Sequence, residues 1–519
     1  MATSLANTTV PFIARQSHRH IYNKPRLKYS FSARNSQYRS LITGRKPTSC
    51  KVLTKTNTNG YLAPANKVFE LKNEEEKEED DIIIEEEHKE HLANRWSEIH
   101  GGDDWEGMLD PMDSLLRSEL IRYGEFAQAC YDAFDHDSYS KYCGSCLYTP
   151  RNFFKSLGMT GFGYSVTRYL YATTHAPGLS NFFKKSKWGK VWSENSNWMG
   201  YVAVSNDETS KHLGRRDITI AWRGTVTKLE WVADLKDILR PIQPYNIPSP
   251  DPTVKVQAGF LGVYTDKDEN CPYGQYSARE QIVTEIQRLT KMYSNENLSI
   301  TVTGHSMGAA LAILSAYDIA ETGLNLLDDG RAIPVCVYSF SGPRVGNSRF
   351  KERLEVVGVK VLRVVNVHDV VPMAPGFLVN EHSALLIRKY MPLFIRKLIE
   401  WLPWSYSHVG EELALDHKHS PFLNDTWDPT DSHNLEVHLH LLDGYHGKNK
   451  TFELASKRDH ALVNKASNFL KEEHLVPPNW RQDANKGMAR NKEGRWIQPD
   501  RLKLGDHHHK KHGLNGDHH

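Results

Sequence analysis

The segment 298–323, LSITVTGHSMGAALAILSAYDIAETG, constrains the fold of this chain more than any other stretch. Apolar and polar residues alternate in its first part, which is typical of a half-buried strand. The alanine-rich run that follows is rich in helix formers and stops at Gly323. Ser306 therefore lies on a sharp turn from a strand into a helix, between Gly304 and Gly308. Such a turn crowds side chains beside its tip, so glycine is expected on both flanks.

Strand and helix patterns alternate on both sides of this turn. The segments Gly200–Ser205, Asp217–Trp222 and Val359–Val367 have the composition of strands, and residues 278–293 place apolar side chains on one helical face. This alternation predicts a mostly parallel central sheet with helices on both faces. Together with the glycine-flanked turn above a helix N-terminus, it predicts an α/β-hydrolase fold with Ser306 at the nucleophile elbow.

A serine nucleophile needs a base that takes its proton and an acid that orients the base. In this fold the chain order is serine, acid, histidine, and the reactive groups gather at the carboxyl ends of strands. Asp369 directly follows a predicted strand in VVNVHDVVPMAPG, so we expect it to be the acid. Asp318 lies on the helix after the serine, and no predicted strand leads into Asp416 or Asp431, so these three are weaker candidates.

The histidine is less constrained by the residues alone. The alternating run 435–441 fits a strand, and a helix fits it too, while the preceding DPTDS fits a loop. A histidine on a loop can meet both serine and acid, which favours His433 over His438 and His440. Histidines with the right chain order include His382, His408, His417, His419, His433, His438, His440 and His446.

Acyl transfer also needs two donors for the oxyanion. The backbone amide of Met307, directly after the serine, is the first expected donor. The second is expected after an earlier strand, in TIAWRGTVTKLEWVADL, where Gly224 allows a tight turn and the Thr225 amide and hydroxyl can face an oxyanion.

The first part of the chain has the composition of a targeting segment. No Asp or Glu precedes Glu70, whereas about a dozen Lys and Arg do, and Ser and Thr are frequent. Residues 1–65 are therefore predicted to be a transit peptide, with the plastid as the preferred destination and the mitochondrion as the alternative. Residues 66–92 are rich in Asp and Glu and are predicted to be a solvated acidic linker. No run of about 20 apolar residues exists, so no transmembrane helix is expected.

The remaining chain is divided into a hydrolase domain, 93–480, and a C-terminal extension with a His-rich tail, 481–519. A last apolar helix is predicted within 459–474, and Trp480 and Trp496 are expected to pack back on the domain. The lone Cys-x-x-Cys pair in YCGSC, at 143 and 146, lacks a second pair and predicts ordinary thiols rather than zinc ligands.

Four separated motifs, AWRGT, GHSMGAALA, SFSGPRVGN and VVNVHDVVP, resemble those of the lipase class 3 family in the same order. The stretches that begin RWSEIHGGDDWEGMLDP and VPPNWRQDANKGMARNKEGRW are similar to plant class I phospholipases A1 of plastids. The resemblance covers about residues 95–498. It implies hydrolysis of the sn-1 ester of phospholipids, often with galactolipids and triacylglycerols as further substrates, without a metal or other cofactor.

The resemblance also implies roles for residues of this chain. Asp234, in WVADL, matches an aspartate that holds the oxyanion residue in fungal relatives. Met307 stands where the family more often has leucine, and its role is unaffected because only the backbone amide is used. The nucleophile, acid, base and oxyanion residues are matched by Ser306, Asp369, His433 and Thr225.

Membrane lipids are the partners that this reading implies. The segment KYMPLFIRKLIEWLPWSYSHVG, Lys389–Gly410, combines an apolar run with basic residues and tryptophans, which suits a helix on a membrane surface. A buried core helix with a charged face fits this segment equally well. The loop after Thr225 is a second candidate for the rim or lid of the site. A lipid-binding protein without activity and an acyltransferase are the competing functions.

Overall fold

The computed structural model describes residues 92–497 except 176–182, 188–192, 194, 227–237, 377–404, 426–427, 457, 482–487 and 492–493. The predicted transit peptide, nearly all of the predicted linker and the His-rich tail therefore lie outside the described residues. The same holds for Asp234, His382 and most of the predicted membrane-surface helix. Among the described residues, none of the helices combines the length and the apolar composition that a membrane span requires.

A seven-stranded sheet forms the centre of the fold, in the spatial order β1-β2-β3-β6-β7-β9-β11. The pairs from β3 to β11 are parallel, while β1–β2 and β2–β3 are antiparallel. The predicted mostly parallel sheet is therefore confirmed. The strands are β1 Tyr164–Ala172, β2 Asn197–Ser205, β3 Arg216–Trp222, β4 Leu239–Pro241, β5 Lys255–Gln257, β6 Leu298–His305, β7 Val335–Phe340, β8 Gly346–Asn347, β9 Lys360–Asn366, β10 Tyr406–Ser407, β11 Glu411–Leu415, β12 Ala489–Arg490 and β13 Trp496–Ile497.

Helices cover both faces of the sheet. The α-helices with both ends described are α1 Ser114–Asp132, α2 Phe153–Ser156, α3 Asp207–Leu213, α4 Ala258–Thr265, α5 Ala278–Met292, α6 Met307–Glu321, α7 Ser348–Val356, α8 Pro429–Ser432 and α9 Leu435–Gly444. Residues 92–99 are also helical. Apolar side chains of α4, α5 and α6 share one buried cluster with Val337 of β7. The neighbouring Tyr338 points to the other face and joins a second cluster with α1 and α9. This two-sided burial explains why β6 and β7 are buried at every position.

The parallel pairing brings several strand ends to one edge of the sheet. Trp222 of β3 pairs with Gly304 of β6, and Asn366 of β9 pairs with Leu415 of β11. Because the carboxyl ends of parallel strands lie together, the loops that follow these strands face a common region. Those loops carry the residues that the sequence analysis predicts to take part in catalysis.

The structure decides one alternative that the sequence left open and differs from two sequence predictions. The run 435–441 lies in helix α9, so the helical alternative is the one observed. The predicted helix at 459–474 is wrong, because this segment contains only the 3₁₀ turns His460–Lys465 and Glu472–His474. At the end of the predicted membrane-surface helix, Tyr406–Ser407 form a strand that pairs with Gly346–Asn347.

The C-terminal tryptophans pack on the domain, as expected. Trp480 is buried, and its indole Nε1 donates to the carbonyl of Ala461 at 2.7 Å. Its ring lies 4.7 Å from that of Trp496, measured between centroids. This contact fixes the described end of the chain against the turn at 460–465.

Candidate active site

Ser306 lies between β6 and α6 in a conformation that few side chains adopt. Its φ is 61° and its ψ is −131°, and it is the residue immediately before helix α6. A non-glycine residue in such a region costs on the order of 1–3 kcal/mol, which the surrounding structure must offset. The amide of Ser306 donates to the carbonyl of Phe340 at 2.9 Å, which ties the turn to β7. The side chain is thereby held at the tip of a strained turn.

The two flanking glycines are required by close backbone contacts. A Cβ on Gly304 would lie 2.4 Å from the carbonyl atoms of Gly308. A Cβ on Gly308 would lie 2.5 Å from the carbonyl oxygen of Trp222. Because these neighbours are backbone atoms, they cannot move aside as a side chain can. The motif thus reflects the packing of the turn against itself and against β3.

The three residues selected as nucleophile, acid and base lie within hydrogen-bonding distance of one another. His433 Nε2 is 2.8 Å from Ser306 Oγ, and His433 Nδ1 is 2.6 Å from Asp369 Oδ2. All three side chains are buried. Since a carboxylate accepts, Nδ1–H donates to Asp369, which leaves Nε2 free to accept from the serine hydroxyl. This is the arrangement in which an imidazole can act as a general base.

The loop after β9 holds the acid. The other carboxylate oxygen of Asp369 accepts from the Val371 amide at 2.9 Å, and the Asp369 amide donates to the Asn366 carbonyl at 2.9 Å. Asn366 also donates from Nδ2 to the carbonyl of Ser432 at 3.0 Å, directly before His433. One side chain at the end of β9 therefore links the acid loop to the histidine loop.

The competing acids have other partners. Asp318 on α6 accepts from the Tyr264 hydroxyl at 2.9 Å and pairs with Arg279. Asp416 does follow a strand, β11, contrary to the sequence prediction, but it pairs with His368 at 3.0 Å. Burial, together with the nearby Asp428, raises the pKa of Asp431 to about 6.

Most of the other described candidates for the base have different hydrogen-bond partners. His438 Nε2 lies 2.5 Å from Ser341 Oγ, and His440 Nε2 lies 2.9 Å from Ser420 Oγ. His419 is exposed on the turn after β11. His408 contacts the backbone carbonyl of Pro372, and His446 contacts that of Glu453. His417 contacts the side-chain amide of Asn366.

A buried histidine that sequence analysis missed contacts the backbone of His433, the candidate base. His305 Nε2 lies 2.7 Å from the carbonyl oxygen of His433, and His305 Nδ1 lies 2.8 Å from the Tyr131 hydroxyl. A carbonyl only accepts, so Nε2 carries the proton and Nδ1 accepts from tyrosine. Burial and the neighbouring histidines lower the pKa of His305 well below its usual value, so its ring stays neutral. It fixes the backbone of the candidate base without placing a cation beside it.

The position of His305 inside the Gly-x-Ser-x-Gly motif was the available signal for this residue. Tyr131 carried no such signal, because it lies 174 positions earlier on α1.

The first turn of α9 is held by ion pairs with residues that are distant in the sequence. Glu436 pairs with Arg458 and, at 3.2 Å, with Lys465, which in turn reaches Asp132 of α1 at 2.5 Å.

The loop after β3 lies beside the serine. A Cβ on Gly224 would be 3.1 Å from the Ser306 Cβ, so this loop passes directly next to the elbow. The buried Arg223 donates from its Nη1 to the Gly224 carbonyl at 2.9 Å. Since the carbonyl and the next N–H of a trans peptide point in opposite directions, this bond sets the direction of the Thr225 amide.

The strand order, the strained serine turn and the Ser-His-Asp contacts define a hydrolase of the α/β-hydrolase class. The family model for Lipase (class 3) matches residues 219–379, which include the serine turn and the acid loop. The chain is 62% identical to phospholipase A1-Igamma2, chloroplastic, from Arabidopsis thaliana, over 81% of this chain and 79% of that protein. It is 60% identical to phospholipase A1-Igamma1, chloroplastic, from the same plant, over 80% of each chain.

A more distant relative is phospholipase A1-II 6 of Oryza sativa subsp. japonica, at 40% identity over 79% of this chain and 95% of that protein. The chain therefore belongs to the lipase (class 3) family and, within it, to the plant phospholipases A1 of the plastid type. It is an enzyme that hydrolyses lipid esters, and it is a chloroplast protein. The family and the fold predicted from the sequence are confirmed.

Proposed function

We propose that this enzyme is a phospholipase A1 that cleaves the sn-1 acyl ester of phosphatidylcholine through an acyl-serine intermediate. Galactolipids and triacylglycerol are proposed as further substrates. The observation that carries the proposal is the buried chain of contacts from Ser306 Oγ through His433 to Asp369, at 2.8 and 2.6 Å. No metal or other cofactor has a role in this chemistry.

The proposed reaction begins with the attack of Ser306 Oγ on the ester carbonyl carbon while His433 Nε2 takes the hydroxyl proton. The imidazolium that forms is stabilised by Asp369. It then protonates the leaving glycerol oxygen, which releases the lysolipid and leaves the fatty acyl group on the serine. Water, activated by the same imidazole, hydrolyses this acyl-enzyme and regenerates the serine hydroxyl.

The oxyanion of each tetrahedral intermediate is proposed to accept hydrogen bonds from the backbone amides of Met307 and Thr225. Met307 is the first residue of α6, so its N–H has no carbonyl partner within the helix and carries the positive end of the helix dipole. The Thr225 amide is directed by the bond from Arg223 to Gly224. The Thr225 hydroxyl is a third possible donor, and Asp234 is proposed to hold it.

The substrate is proposed to reach the serine from a membrane surface. The segments expected to form the rim, after Thr225 and within Lys389–Gly410, fall largely outside the described residues. Their composition supports contact with a membrane surface, because it combines apolar, basic and tryptophan side chains.

Position-labelled lipids test the proposed function. We expect the protein to release the labelled fatty acid from phosphatidylcholine labelled at sn-1, and much more slowly from the sn-2-labelled lipid. Release mainly from sn-2 would contradict the proposal. A parallel reaction with added alcohol distinguishes hydrolysis from acyl transfer, because an acyltransferase would give labelled ester in place of free acid. Galactolipids and triacylglycerol with the same labels rank the substrate classes.

We also propose the domain organisation predicted from the sequence: a transit peptide at 1–65, an acidic linker at 66–92, the lipase domain at 93–480 and a C-terminal extension at 481–519. We expect a fusion of residues 1–65 to a fluorescent protein to enter chloroplasts, because this segment is basic and free of acidic residues. A fusion with its Lys and Arg replaced by Gln serves as the control and should remain in the cytosol. Cytosolic or secreted fluorescence from the unaltered fusion would refute the assignment.

A further inference from the structure

Two adjacent strand ends bring three potential metal ligands together. His368 follows β9, and Asp416 and His417 follow β11. These three residues are called the His–Asp–His cluster below. The parallel register pairs Asn366 with Leu415, and the Val367 amide continues the ladder by donating to the Leu415 carbonyl at 2.9 Å. The first residues of the two loops are thereby held side by side.

The donor atoms of the cluster converge. His368 Nε2 lies 3.0 Å from Asp416 Oδ1, and the rings of His368 and His417 are 4.5 Å apart between centroids. One donor atom from each of the three residues lies within 4.8 Å of the other two. Ligands around a tetrahedral zinc ion are roughly 3.3 Å apart, as follows from zinc–nitrogen bonds of about 2.0 Å. The separations of the three donor atoms, at most 4.8 Å, exceed that spacing by no more than about 1.5 Å.

His417 has an unsatisfied ring nitrogen. Its side chain is 1% exposed, and its Nε2 has no hydrogen-bond partner among the described residues. The other ring nitrogen makes only long contacts, 3.3 and 3.4 Å, with the amide group of Asn366. An unpartnered nitrogen is costly to bury, because it loses its hydrogen bond to water without gaining another. A bound cation that draws the imidazole into its coordination sphere would relieve this cost.

The chemistry of the donors selects the kind of ion. Two imidazoles and one carboxylate suit Zn²⁺ and similar divalent transition metals, whereas Mg²⁺ and Ca²⁺ prefer oxygen ligands alone. The His368 and Asp416 side chains are 29% and 30% exposed, so solvent and ions can reach the cluster. A water molecule can supply the fourth ligand from that side.

We propose that the His–Asp–His cluster binds one zinc-like divalent transition-metal ion that fastens the loop after β9 to the loop after β11. The ion takes no part in the ester chemistry. Its place in the fold gives it a positioning role, because His368 directly precedes Asp369. Asn366 adds a second link, since its side chain contacts both His417 and the carbonyl before His433.

Cobalt binding tests this proposal, because Co²⁺ is a spectroscopic substitute for Zn²⁺. The His-rich tail would also bind metal, so the experiment uses the full chain with the six tail histidines changed to Gln. We expect one Co²⁺ per chain with a visible ligand-field band, and displacement by Zn²⁺ but not by Mg²⁺ or Ca²⁺. Zn²⁺ should raise the unfolding temperature, since an ion that binds the folded state stabilises it. The tail positions are His507, His508, His509, His512, His518 and His519.

Three variants in this background locate the ion. His368→Gln and Asp416→Asn should each weaken binding by at least about tenfold and abolish the thermal shift. His419→Gln is the matched control, because this exposed histidine lies on the same turn as His417, and it should bind as the background protein does. Circular dichroism confirms the fold of each variant, and either ligand variant suffices if the other is unfolded. Absence of stoichiometric binding, or equal binding by all three variants, would overturn the proposal.

Discussion

Replacing Ser306 by alanine should leave a folded protein whose hydrolysis of lipid esters is slower by on the order of a millionfold. The change removes only Oγ, the atom that is proposed to attack the ester carbon. Alanine keeps the Cβ and has the same backbone restriction as serine, so the strained turn before α6 should persist. The measurement compares fatty-acid release by the variant and the unaltered protein under the same conditions, with circular dichroism as the check of folding.

Ser341→Ala is a matched control for this experiment. Ser341 is also buried, also has a positive φ, of 45°, and also contacts a histidine, His438, through its hydroxyl. Since it contacts no member of the proposed triad, we expect this variant to keep activity within about tenfold of the unaltered protein. More than about a tenth of the activity in Ser306→Ala would contradict the proposed mechanism.

His433→Gln should reduce activity by a factor of about 10⁴ to 10⁶, because glutamine cannot take the serine proton. Its side chain is neutral and polar, so the loop between α8 and α9 should remain in place. The free energy of unfolding, measured with denaturant, separates a loss of chemistry from a loss of stability.

His438→Gln and His440→Gln are the controls for the base. Burial lowers the pKa of His438 to about 4 and that of His440 to about 3, so both rings are neutral near pH 7. Their described hydrogen bonds are to Ser341, Ser420 and the Asn434 carbonyl. We expect each variant to keep activity within about tenfold. Near-normal activity of His433→Gln, together with loss in a folded His438→Gln or His440→Gln, would move the base to the other residue.

Local sequence patterns were sufficient to predict the strand–turn–helix around Ser306 and the loop that carries Asp369. The alternation before the serine, the two glycines and the alanine-rich run all describe contacts within a short segment. The same is true of Asp369, which directly follows the buried strand β9. These are the parts of the fold where the period of apolar residues and the turn residues agree.

The histidine segment was ambiguous for a physical reason. Every residue of α9 is buried, so apolar residues occur on all sides of the helix and match a period of two as well as 3.6. The choice of His433 over its neighbours therefore depended on the loop-like residues before it and on the family resemblance, not on the type of the element. Strand β11 was not predicted, because it is short and begins with the exposed residues Glu411 and Glu412.

The segment 459–474 does not form a helix, because side-chain oxygens accept hydrogen bonds from its backbone amides. Asn464 Oδ1 accepts from the amides of Phe469 and Leu470, at 2.8 and 2.9 Å. Asp459 Oδ1 accepts from the Ala461 amide at 2.9 Å. Such local bonds favour turns over a continuous helix. The contact of Tyr131 with His305 was equally inaccessible, since it joins residues 174 positions apart.

The most direct test of the central claim is to identify the atom that carries the acyl group. A lipid phosphonate, which mimics the tetrahedral intermediate and reacts covalently with an activated serine, is incubated with the full chain. Peptide mass spectrometry should then find one adduct, on Ser306, and Ser341→Ala should be labelled to the same extent. His433→Gln should react far more slowly, because its serine is not activated. An adduct on another residue, or none on Ser306, would contradict the proposed nucleophile.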